Sequence, residues 1–127
     1  MAGKKRFLLI DGEGDRLWRE ALGQALKPWG ELDVCGEDEA IERLLRRRYH
    51  LVMVDASEVQ NVPLLVSRIR AHRPDTSVMV ATTSPTWRRA REAFRSGASD
   101  YFRKSLDQDT LRKRMEMALE KAPPGVF

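Results

Sequence analysis

Leu51-Val52-Met53-Val54-Asp55 is the stretch on which the fold turns. Four consecutive apolar residues end abruptly at a carboxylate. A run this short reads as a strand, and its lack of polar alternation means that both faces are covered. Similar runs lie on either side. Phe7 to Ile10 precedes Asp11, and Ser77 to Ala81 precedes Thr82 and Thr83. Leu32, Val34 and Cys35 make a weaker run, and Tyr101 with Phe102 a short fifth one. The segments between them carry apolar residues at helical spacing. Asp15 to Lys27 has Leu17, Trp18, Ala21, Leu22, Ala25 and Leu26, and Pro28 and Gly30 should end it. Asp38 to Arg48 has Ala40, Ile41, Leu44 and Leu45, with arginines toward its end that suit the helix dipole. Pro63 to Ala71 starts with a proline acceptable in a first turn. Thr86 to Arg95 carries Trp87, Ala90, Ala93 and Phe94, and Gly97 is placed to cap it. Asp107 to Lys121 follows Leu111, Met115, Ala118 and Leu119 until Pro123-Pro124. Strict strand–helix alternation implies an α/β domain with a parallel sheet and helices on both faces.

The bulk numbers agree with one domain. The chain has 127 residues, 42% hydrophobic and 33% charged, enough for a core without disulfides or structural metal. Residues 1–121 form the expected domain, and 122–127 a tail or the start of a linker. The lone Cys35 excludes an internal disulfide and fits a reducing cytoplasm. It reads as a small core residue rather than a nucleophile. Lys4-Lys5-Arg6 before Phe7 imitates a signal peptide, but the apolar run stops at Asp11. No segment is expected to cross a membrane. The net charge of +4 is a mild excess that requires no nucleic acid.

In open parallel sheets, ligands bind beyond the carboxyl ends of the strands. The first strand ends in Asp11, the third in Asp55 and the fourth in Thr82, and Lys104 follows the fifth. Carboxylate oxygens suit a hard cation such as Mg2+. A lysine and a threonine suit a phosphoryl group. The set is the equipment for phosphoryl transfer by positioning and charge neutralisation.

Gly97-Ala98-Ser99-Asp100-Tyr101-Phe102-Arg103-Lys104 resembles the Gly-Ala-x-x-Tyr-x-x-Lys run of the receiver domains of two-component response regulators, the family of the chemotaxis response regulator. Leu8 to Asp11, Leu51 to Asp55 and Val78 to Thr83 are similar to three further strands of that family. The resemblance implies a flavodoxin-like (βα)5 three-layer sandwich with a five-stranded parallel sheet of order 2-1-3-4-5. It implies that Asp55 accepts phosphate from a sensor histidine kinase or phosphotransfer protein, assisted by Lys104 and Thr82. Thr82 and Tyr101 would be the switch pair. Asp11, Asp55 and the main chain of Ser57 would hold Mg2+. The domain would not be an enzyme. The face of the fourth helix, fifth strand and fifth helix, with Trp87, Arg88, Arg91, Arg95, Tyr101 and Arg103, would bind a partner or a second copy.

Two positions depart from the family pattern. Gly12 stands where a second acidic ligand is usual, so Mg2+ binding is expected to be weak. Glu13 is the candidate substitute, although adjacent residues leaving a strand point differently. Ser105 replaces the usual cis proline, and a cis bond without proline costs about 3 kcal/mol, so the loop runs trans or is strained. Both departures suit an alternative function, a pseudo-receiver that binds proteins without being phosphorylated.

Other readings fail on their own spacing. Gly12-Glu13-Gly14 looks like the opening of a dinucleotide fingerprint, but Leu17 occupies the third glycine position. Asp11, Glu13 and Asp15 look like a calcium loop, but Arg16 and Leu22 stand where glycine and glutamate belong. His50 and His72 neighbour no nucleophile. Arg88, Arg89, Arg91 and Arg95 are interrupted by Glu92 and read as a solvated face, so nucleic acid is not an expected partner. Trp87 and Phe94 are expected to pack in the core or at its edge.

Overall fold

The computed structural model describes residues 4–12 and 15–120. Its elements alternate as β1 (Lys5–Ile10), α1 (Arg16–Leu26), β2 (Gly30–Cys35), a 3-10 turn (Glu37–Glu39) running into α2 (Ala40–Arg46), β3 (Leu51–Asp55), α3 (Val62–His72), β4 (Ser77–Thr82), α4 (Trp87–Ser96), β5 (Asp100–Arg103) and α5 (Gln108–Glu120). All strand pairings are parallel, in the order β2-β1-β3-β4-β5. This is the flavodoxin-like arrangement that the family resemblance implied.

The uniform apolar character of the central strands has a simple cause. Leu8, Ile10, Val52, Val54, Val78 and Val80 point into a core with α2, α3 and Ala93 of α4. Phe7, Leu9, Met53, Met79 and Phe102 point the other way, into a core with Trp18 and Leu22 of α1 and Leu111 and Met115 of α5. The period of two is present, but both faces are buried. Each fully buried aliphatic side chain contributes about 1.5–3 kcal/mol. Exposed pairs such as Arg16–Glu20 contribute about 0–1 kcal/mol. Two cores therefore hold the sandwich.

Local chemistry explains several boundaries. Asp15, Asn61 and Thr86 cap α1, α3 and α4 by accepting from the N–H groups of Trp18, Leu64 and Arg89. Gly97 ends α4 at φ 114°, as its position suggested, and its N–H reaches back to Phe94.

Several expectations need correction. Gly30 does not stop α1, which ends at Leu26. It opens β2, where a Cβ would lie 1.8 Å from the Lys5 carbonyl oxygen, so only glycine allows β1 and β2 to close. The second helix is shorter than Asp38 to Arg48, because its first turn is 3-10 and Arg47 is extended. Trp87 and Phe94 are not core or edge packing: they are 72% and 49% exposed. Glu13, Lys121 and the tail 122–127 lie outside the described residues.

Candidate functional site

Strand register assembles the site. Ile10 aligns with Val54 and Asp55 with Ala81, so β1, β3 and β4 end almost flush. Asp11, Asp55 and Thr82 therefore meet at one edge, all three buried. Lys104 joins them because its N–H continues the ladder, donating to the Thr82 carbonyl at 2.8 Å.

Asp55 is fully buried and held from two sides. Its Oδ1 accepts from the Ser57 N–H at 2.9 Å, and its Oδ2 accepts from Lys104 Nζ at 2.6 Å. The same Nζ donates to Asp15 Oδ2 at 3.0 Å and lies 5.0 Å from the centre of the Trp18 ring. Burial alone would lower the lysine pKa, but its bonds to Asp55 and Asp15 outweigh this and hold it above the ordinary value. Removing one partner of such a buried pair costs about 3–5 kcal/mol. Asp15 was missed as a site residue. In the sequence it only opened the first helical stretch and figured in the rejected calcium loop; one oxygen caps α1, and the other meets Lys104 through the tertiary fold.

Asp11 is 2% exposed, and neither carboxylate oxygen has a hydrogen-bond partner. Arg19 Nη1 stands 3.7 Å from Oδ2. Burial first, and the charges of Asp55 and Glu58, raise the Asp11 pKa to about 6 against the opposing pull of Arg19 and the Gly12 N–H.

Thr82 Oγ1 accepts from the Ser84 N–H at 3.1 Å, so the hydroxyl is turned into its own loop. Tyr101 is half-buried against the core that contains Val80, and its hydroxyl accepts from the Thr86 N–H at 3.4 Å. The switch candidates therefore border the start of α4. Ser57 is exposed at the turn after β3. No cis peptide occurs among the described residues, so the bond to Ser105 is trans, one of the two outcomes expected for that loop. Ser105 Oγ accepts from the Asp107 N–H at 3.1 Å and helps start α5.

Gly12 leaves room that another residue fills. A Cβ built on it would lie 2.5 Å from Glu58 Oε1. Among the described residues, no three histidine, cysteine or carboxylate side chains already converge as a metal cage.

The comparisons with known proteins agree with this geometry. No protein-family model matches the chain. The transcriptional regulatory protein CrdR of Helicobacter pylori is 30% identical over 98% of this chain, which spans 61% of that protein's length. A response regulator from Thermotoga maritima superposes over 94% of this chain and all of its own with a TM-score of 0.84 and 27% identity. HP1043, an orphan response regulator of H. pylori, gives 0.79 and 30% identity over 94% of this chain and 99% of its own. The chain belongs to the response-regulator receiver domains of two-component systems. Such domains are regulatory rather than catalytic.

Proposed function

We propose that this receiver domain accepts a phosphoryl group on Asp55 from the phosphohistidine of a sensor histidine kinase or a phosphotransfer protein. The observation that carries the reading is the buried carboxylate of Asp55 held at 2.6 Å by Lys104 at the carboxyl edge of the sheet. An Asp55 oxygen bonds to phosphorus as the N–P bond of the donor breaks. The departing imidazole nitrogen keeps that electron pair and takes a proton from water. Lys104 then neutralises phosphoryl oxygens, and the Thr82 hydroxyl leaves Ser84 to bond the new group. Tyr101 follows at the start of α4, and the face of α4, β5 and α5 changes its contacts with a partner or a second copy.

The residues fit a hard divalent cation. Asp11 supplies two buried oxygens without hydrogen bonds beside Asp55, and an unsatisfied buried carboxylate is what such an ion relieves. Asp11, Asp55 and, by family resemblance, the Ser57 carbonyl would hold Mg2+, which supplies charge neutralisation at the phosphoryl group. Among the described residues no helix is long and apolar enough to cross a membrane. We place the domain in the cytoplasm on its single free cysteine.

The test is incubation with a small acyl phosphate and Mg2+ followed by intact mass. Wild type should gain one phosphoryl group and Asp55→Asn none. Equal gains would move the acceptor elsewhere.

A second reading, constitutive protein binding, draws on Gly12 and on the likeness to an orphan regulator. It requires that no phosphoryl mass appears, and that Asp55→Asn leaves partner binding unchanged.

A further inference from the structure

We propose that Glu58, from the turn between β3 and α3, supplies the second side-chain carboxylate of the cation site in place of the side chain that Gly12 lacks. This rests on the Mg2+ site read above and names a residue outside the family's usual set.

The first support is steric. The position of a Cβ on Gly12 lies 2.5 Å from Glu58 Oε1, 3.4 Å from its Cδ and 3.5 Å from its Cβ. The whole Glu58 side chain thus runs across Gly12 and ends where a side chain at position 12 would begin. A residue larger than glycine there would have to push Glu58 aside. The second support is the anchoring of the turn. The Glu58 N–H donates to the Asp55 carbonyl at 3.0 Å, the Ser57 N–H donates to Asp55 Oδ1, and the next residue, Val59, is buried in the core. The backbone of Glu58 is therefore tied to the same residue that carries the reactive carboxylate. The third support is independent of both. Asp11 is buried with two unbonded oxygens, and it lies within reach of the charges of Asp55 and Glu58. Lys104 pairs with Asp55 and Arg19 stands 3.7 Å from Asp11, and a cation between the carboxylates would relieve the Asp11 oxygens that still lack hydrogen bonds.

Calorimetric titration of the full chain with Mg2+ tests this directly, with thermal melts confirming that each variant folds. Glu58→Gln should weaken binding by at least the roughly tenfold loss typical of even an outer-sphere partner. Asp11→Asn should abolish it. Gly12→Asp should restore affinity in the Glu58→Gln background and add little in wild type, because the two side chains compete for one place. If Asp11→Asn loses the ion while Glu58→Gln binds like wild type, Glu58 is not a ligand and the Mg2+ site stands without it. If neither substitution changes binding, the Mg2+ site itself is misplaced and this assignment goes with it. Equal gains from Gly12→Asp in both backgrounds would show that the two side chains share no place. Phosphoryl transfer is read separately by mass, so its failure is distinguishable from these.

Discussion

Helices α1 and α4 look alike in sequence and sit differently in the fold. Both begin at a polar cap, and each carries a tryptophan near its start with apolar residues at helical spacing. Helix α1 buries Trp18, Leu22, Ala25 and Leu26 against the sheet and α5. Helix α4 buries only Ala93 and turns Trp87 and Phe94 to solvent, with Arg91 stacked 4.2 Å over the Trp87 ring. Helical spacing establishes that a helix forms. Which apolar residues it hides depends on how the helix docks in the fold. Helix α4 precedes the four-residue edge strand β5 and enters the core through Ala93. Its exposed aromatic and arginine side chains are the types that anchor protein interfaces.

Truncating the two helices should separate them most sharply. Leu22→Ala should cost about 2–5 kcal/mol through lost burial and a cavity. Phe94→Ala should stay within about 0.5 kcal/mol. Urea unfolding measures both, and similar losses would mean that α4 packs as α1 does.

The caps give a smaller contrast. Thr86→Ala removes one cap, worth about 0.5–2 kcal/mol. Asp15→Ala removes a cap and a partner of Lys104, and should cost more. The lysine bond and the Trp18 N–H outweigh burial and hold the Asp15 carboxyl below its ordinary value of 3.8. Its contribution is therefore present above that value and lost as pH falls through the lower folded one. Asp15→Ala should flatten part of the acid-side loss of stability, whereas Thr86→Ala should leave its pH dependence unchanged.

The smallest effect on stability and the largest on association should come from the α4 surface. Arg91→Glu with Arg95→Glu should leave the melt within about 0.5 kcal/mol of wild type. It should slow association with an acidic partner and reduce its salt dependence. Sedimentation and pull-down at two ionic strengths read this out. Unchanged association would exclude this face and direct attention to the exposed Leu17 on α1.

The candidate site was legible to the extent that strand ends were. Asp11, Asp55, Thr82 and Lys104 each follow an apolar run, and a parallel sheet must bring such positions to one edge. Asp15 and Glu58 carried no comparable signal. One enters from a helix cap and the other from a turn, and both were visible only as local polar residues. Glu13, the neighbour in sequence, was the substitute that linear reading suggested for Gly12. The residue found across Gly12 comes from a different strand's loop.

Periodicity and strand-end chemistry were enough to establish an alternating α/β chain with Asp11, Asp55, Thr82 and Lys104 at one edge, because both are properties of neighbouring residues. The pairing of Lys104 with both Asp15 and Asp55, the placement of Glu58 over Gly12 and the exposure of Trp87 were decided by tertiary structure alone. Each depends on how segments far apart in the chain meet, set by sheet order, register and the docking of each helix.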